Sequence, residues 1–115
     1  MKEPSVAEFI TARIRLSRKP IRQLAQEIGF RNANFLSMIK RGRAKIPLNR
    51  VLAISEVLNI SPQSLLFRCL QEYDPDLLET IQLCLPGAFL SDDDLQLIQT
   101  IKGKLAVLRA RTPPP

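Results

Sequence analysis

The chain contains no histidine and no tryptophan, and only 5% of its residues are aromatic. Without imidazole it lacks the side chain used most often for proton transfer near neutral pH and the commonest metal ligand. Its two cysteines, Cys69 and Cys84, lie inside helical patterns and form no Cys-x-x-Cys pair. A zinc site would need both of them plus carboxylates, so the expectation is two reduced, buried thiols in a cytosolic protein. Glycine is scarce, 4 in 115 residues, and no glycine-rich phosphate loop occurs. Nor is there an acid pair on an inward face, so neither an enzyme, a metal nor a cofactor is expected. No apolar run approaches the roughly 20 residues of a membrane span. The opening M-K-E-P-S has an acid, a proline and no apolar signal core, so export is not expected. Strand patterns and internal repeats are absent too, which points to an all-α fold.

What is present is cationic and helical. Residues 1–50 hold 12 Lys+Arg against 3 Asp+Glu, whereas residues 51–115 hold 5 against 8. A basic half beside an acidic half suggests one surface for a polyanion and another for a different task. At 45% hydrophobic content the length suits one domain with a modest core and an appendage.

Ser5 with Glu8 is a capping box that starts a helix over 6–16, its apolar side formed by Phe9, Ile10, Ile14 and Leu16. Pro20 suits the first turn of a second helix over 20–28, where Ile21, Leu24, Ala25 and Ile28 make a single stripe. Gly29 ends it, since a left-handed residue costs glycine little. Asn32 caps a third helix that runs to Arg41 and stops at Gly42. In that helix Phe35, Leu36, Met38 and Ile39 take one side, with Met38 at the border. Ala33, Asn34, Ser37, Lys40 and Arg41 take the other, and nothing acidic joins them. Such a face can enter a DNA major groove, amides reaching base edges and cations meeting phosphates. Pro47 opens a fourth helix over 48–58 with Leu48, Val51, Leu52, Ser55 and Leu58 on one face, and Asn59 closes it. Ser61-Pro62 starts a fifth through Leu65, Leu66, Cys69, Leu70 and Tyr73.

The segment from about 5 to 70 resembles the helix-turn-helix DNA-binding domain of lambda repressor and Cro, the xenobiotic-response-element family. The likeness rests on L-A-x-x-x-G (Leu24, Ala25, Gly29), on Leu36 and Ile39, on R-G at Arg41-Gly42, and on V-L-A-I-S-E-V-L-N-I-S-P-Q-S-L-L (Val51–Leu66). It implies a five-helix lambda-repressor-like domain over 1–73; residues 74–115 fall outside the likeness and read, from their own pattern, as a helical extension over 74–111 and a disordered tail at 112–115. From Gly29 to Gly42 is 13 positions, one more than the family usually has, which lengthens the turn at Phe30-Arg31. Ala33 and Asn34 also stand where members often carry glutamine.

Asn34 is the first candidate for base reading, because its amide matches adenine N6 and N7. Ser37 can reach a base or a phosphate, while Lys40 and Arg41 are expected mainly on phosphates. Asn32 is a cap first and a contact second. Arg43 and Lys45 suit the backbone or minor groove, and Arg22 and Gln23 suit a phosphate at the start of the second helix. Met38 either fills the core or touches a thymine methyl.

Beyond residue 74, Asp74-Pro75 starts a sixth helix with Leu77, Leu78, Ile81 and Cys84 facing inward, and Pro86-Gly87 ends it. Ser91 with Asp92, Asp93 and Asp94 marks a last helix, the acids favouring its positive end. Leu95, Ile98, Ile101 or Lys102, Leu105 and Leu108 give it a near-heptad stripe that Leu97 widens. One recognition helix reads few base pairs, and such regulators pair on palindromic sites. The stripe and the 83–90 segment therefore either build a homodimer or fold back on their own domain.

The expected function is a dimeric, cytoplasmic, nucleoid-associated repressor of a double-stranded DNA operator. An antitoxin that represses its own operon would add a toxin partner. An adaptor or RNA-binding module on the same fold is a third reading, and the sparse aromatics disfavour single-stranded RNA, whose bases stack on rings.

Overall fold

The computed structural model describes residues 3–90 and 92–111, and among these every regular element is helical. The expectations for Ser91 as a helix start and for the 112–115 tail fall outside the described residues. The chain divides into two compact units, Met1–Thr80 and Ile81–Pro115.

In the first unit, α1 (Val6–Ser17) is capped by Ser5, whose Oγ accepts the Glu8 N–H at 3.2 Å and donates to Glu8 Oε1 at 3.3 Å. The Val6 N–H, which no intrahelical carbonyl can serve, donates to Glu72 Oε1 at 3.0 Å. α2 (Ile21–Ile28) follows, with Pro20 standing just before its first residue as the cap. At its far end Gly29 adopts φ 102° and donates its N–H to the Ala25 carbonyl at 3.0 Å. α3 (Ala33–Lys40) begins under the Asn32 side chain and runs into Arg41 and Gly42, the latter at φ 75°. A 3₁₀ turn, Leu48–Arg50, leads into α4 (Val51–Leu58), which Asn59 closes in the left-handed region at φ 55°. Arg13 reaches across from α1 to donate to the Leu58 and Asn59 carbonyls, where a cation suits the negative helix end. α5 (Pro62–Tyr73) has Ser61 as cap and Pro62 at its first position.

The core forms where these helices meet. Ile10, Leu24, Leu36, Ile39, Ile54 and Leu65 are all at most 1% exposed, each contributing about 1.5–3 kcal/mol by burial. Three apolar faces differ from those expected. In α1 the inward line is Val6, Ile10 and Ile14, one residue every four, which leaves Leu16 70% exposed. In α4 the inward set is Val51, Ile54, Ser55 and Leu58; Leu48 belongs to the 3₁₀ turn, and Leu52, a fifth residue off that stripe, is 72% exposed. In α6 (Pro75–Cys84), whose start is capped by Asp74 Oδ1 accepting the Leu77 N–H at 3.1 Å, only Leu78 is buried. Leu77 and Cys84 face solvent and Ile81 is half-buried. Cys84 is thus an exposed free thiol, whereas Cys69 is buried as expected.

Burial pushes the Cys69 thiol up from 9.0 to about 11, and Tyr73 above its ordinary value for the same reason. A thiol is neutral when protonated, so raising its folded value means the unfolded chain loses that proton first. The stabilisation is complete below pH 9.0 and is lost as pH rises toward about 11, some 2–3 kcal/mol in all. Urea titrations at pH 8, 9, 10 and 11 should show that decline, and Cys69→Ala should flatten it. An equally steep decline in Cys69→Ala would assign the effect elsewhere.

In the second unit α6 ends in a turn where Gly87 takes φ 94°, and α7 (Asp92–Arg111) follows. A methyl at Gly87 would stand 3.6 Å from Leu90 Cδ1 and 3.7 Å from Leu95 Cδ2, so the turn and the start of α7 pack closely. Within the expected stripe Ile98 is half-buried, while Leu95, Ile101, Leu105 and Leu108 are 41–57% exposed.

Candidate nucleic-acid interface

The two helices that frame the site are joined at Gly29–Asn32, and chemistry within that turn sets the register of α3. Gly29 and Phe30 both donate to the Ala25 carbonyl, at 3.0 and 2.9 Å, which closes α2. Asn32 Oδ1 then accepts the N–H groups of Asn34 and Phe35 at 3.0 and 3.3 Å, satisfying two donors that the first turn of α3 leaves open. The cap therefore fixes Ala33 as the first residue of α3. The Phe30 and Phe35 rings meet edge to face, with centroids 5.1 Å apart at 76°, and tie the turn to the helix it precedes.

Leu36 and Ile39 anchor α3 from behind, at 0% and 1% exposure. The opposite side carries Asn34 and Arg41 exposed, with Ser37 half-buried beside them. Met38 joins this outer side at 39% exposure instead of filling the core, and Phe35 is only half-buried against it. With helical rotation of about 100° per residue, Asn34, Met38 and Arg41 form the outermost ridge, while Lys40 lies on its flank.

That flank faces α1. Thr11 Oγ1 donates to the Lys40 carbonyl at 3.2 Å, and the two helices bound an open groove of about 500 Å³. Arg15, Lys40 and Arg41 line it together with Ser5, Thr11 and one acid, Glu8. Arg15 was not singled out from the sequence. Its position in α1 places it ahead of the motif, and only the α1–α3 packing brings it beside Lys40.

No protein-family model, curated protein or solved structure matches the chain.

The remaining cations are spread around this centre. Arg22 and Gln23 are exposed on the first turn of α2. The Gln23 amide donates to Glu27 Oε1 at 3.2 Å, and Lys19 Nζ approaches the same carboxylate at 3.2 Å. Those two hydrogen bonds hold Glu27 below the usual carboxylate range, so the acid nearest α2's outer side already has its cation. Arg43 is exposed in the turn after α3, its N–H bonded to the Met38 carbonyl at 2.8 Å. Lys45 is exposed but its Nζ stands 5.5 Å from the centre of the Tyr73 ring. It lines a smaller cavity of about 200 Å³ that shares Ala7 and Gly42 with the first groove. Tyr73 Oη accepts the Ile46 N–H at 3.1 Å and fixes that loop to α5.

Arg50 also lies close to the motif. A methyl on Gly29 would come within 3.4 Å of Arg50 Nη1, so this guanidinium covers the C-terminal end of α2, where cations are favoured. Among the described residues no helix is long and apolar enough to cross a membrane.

Proposed function

We propose that this chain is a sequence-specific double-stranded DNA-binding regulator with a lambda-repressor-like five-helix domain, acting as a dimeric repressor of a palindromic operator in the cytoplasm. The observation that carries the reading is the ridge of α3. A short helix is pinned by two fully buried aliphatic side chains while its opposite side offers an amide, a thioether and a cation without an acid among them. On this reading α3 enters the major groove, Asn34 reads an adenine, and Ser37 and Met38 meet neighbouring base edges. Arg41, Lys40 and Arg15 take phosphates on one side of the groove, and Arg22 takes one on the other. Asn32 is first a cap, and Gln23 stands beside Arg22 at the phosphate-facing start of α2, its amide also donating to Glu27. Arg43 and Lys45 follow the backbone past the end of α3. No catalytic role is assigned to any residue.

Two-fold symmetry supplies the selectivity that one short helix lacks. The C-terminal unit, with its exposed apolar side chains, is the proposed source of the pairing. Selection of bound duplexes from a random pool tests the whole reading at once. The expected result is a palindromic consensus whose half-sites lie about one helical turn, roughly 34 Å, apart. Failure to enrich any sequence would sink the reading, and a single unrepeated site would sink its dimeric part.

A further inference from the structure

α7 has two apolar sides with different surroundings. Advancing about 100° per residue, Leu95, Ile98 and Leu105 share one side. Ile98 is half-buried there and Leu95 approaches the Gly87 turn, so this side serves the unit's own packing. On the other side lie Leu97, Thr100, Gly103, Lys104, Val107 and Leu108. Leu97 is 60% exposed and Val107 52% exposed, although both are aliphatic. The same side carries an open groove of about 610 Å³ lined by Thr100, Gly103, Lys104, Val107 and Leu108. A methyl at Gly103 would meet nothing within 4 Å, so the glycine is not required by this unit's own packing. It nevertheless weakens the helix by about 1 kcal/mol relative to alanine. A notch of that kind lets a second backbone approach closely.

The charges say which backbone. Asp92, Asp93 and Asp94 occupy the first turn of α7, and no cation falls in residues 92–101. Lys102, Lys104 and Arg109 follow in the second half, where no acid falls. Two copies in parallel would set acid against acid and base against base. Two copies in opposite directions set each acidic start against the other's last turn, where Arg109 and Arg111 fall in the sequence, while Lys102 and Lys104 come nearer the crossing.

We propose that this outer side of α7 docks onto the same side of a second copy, antiparallel, with the two helices crossing one residue before the Gly103 notch, midway between Leu97 and Val107. The geometry deepens the dimer reading above and rests on it. In that register Leu97 of one copy faces Val107 of the other, while Leu97 lies ten residues from its own counterpart, about 15 Å along the axis. A disulfide needs Cα atoms within about 7 Å.

Cross-linking of the full chain decides it. In a Cys84→Ser background, which removes the exposed native thiol, Leu97→Cys alone and Val107→Cys alone should stay uncross-linked under mild oxidation. A mixture of the two should form disulfide-linked dimers. Gly103→Leu should weaken the dimer about tenfold or more in sedimentation equilibrium while leaving helicity by circular dichroism undiminished, because leucine is the better helix former. If each single-cysteine chain cross-links with itself, the helices run parallel and the proposal is overturned. A dimer that persists in sedimentation with no cross-link in any arm, or that Gly103→Leu leaves intact, places the interface elsewhere and overturns it too. A chain that sediments as a monomer removes the dimer reading itself. A heterologous protein partner would then be the remaining use for this face.

Discussion

Leu36→Ala is expected to cost about 2–5 kcal/mol of unfolding free energy, a large part of the roughly 5–15 kcal/mol available to a domain of this size. Leu36 is completely buried and packs among Ile10, Leu24 and Ile39, so truncation leaves a cavity at the centre of the α1–α2–α3 cluster. Met38→Ala, two positions away on the same helix, should cost less than about 1 kcal/mol, because Met38 is 39% exposed. Equilibrium urea denaturation of the two variants, followed by circular dichroism, measures the contrast. Equal losses would mean that α3 is turned about its axis relative to the face described above. The same test bears on function, since the orientation that buries Leu36 is what turns Asn34 outward.

How much of this was legible beforehand depended on the local signal each residue carried. Caps were the clearest, because an N-cap needs only one oxygen-bearing side chain at the right place. Ser5, Asn32, Ser61 and Asp74 all accept the N–H groups that their positions implied, and Gly29 and Asn59 take the left-handed conformations that end their helices. Faces were less secure. Leu16, Leu48, Leu52 and Leu77 are as apolar as the residues that became core, and composition gives no reason to prefer one over another. What decided was phase. Val51, Ile54, Ser55 and Leu58 keep the three-four spacing of a buried stripe even though one of them is a serine, and the serine went in while Leu52 stayed out.

The candidate site shows the same division. Asn34, Ser37 and Arg41 share the outer side of α3 because helical geometry places them there, which sequence spacing already contains. Met38 did not follow so simply; its long, flexible chain suits a border, and it is 39% exposed on the outer side. Arg15 and Arg50 were not visible at all. Each comes to the motif from another helix, Arg15 across the α1–α3 groove and Arg50 over Gly29. Contacts between segments far apart in sequence leave no periodicity behind. The Lys45–Tyr73 pairing was hidden for that reason as well.

Asn34→Ala should lower affinity for the selected operator by about 1–3 kcal/mol, a factor of roughly 5–150, and leave affinity for scrambled duplex nearly unchanged. Asn34 is exposed on the ridge, and its backbone N–H, not its side chain, is what the Asn32 cap holds. Removing the amide therefore leaves α3's start intact, and the loss should be confined to one base pair. Arg15→Ala and Lys45→Ala provide the opposite signature. A residue that neutralises one phosphate releases about 0.9 of a counterion, so each variant should weaken both duplexes alike and flatten the salt dependence of log K by about 0.9. Lys45 should show the smaller change if its ammonium stays over Tyr73 when DNA is bound. Titrations of the three variants against both duplexes, at several salt concentrations, separate base reading from backbone attraction. An Asn34→Ala protein that lost operator and scrambled duplex equally would remove Asn34 from the reading role. A wild-type protein that distinguished the two duplexes with an unaltered preference in Asn34→Ala would move base recognition along the ridge to Ser37 and Met38.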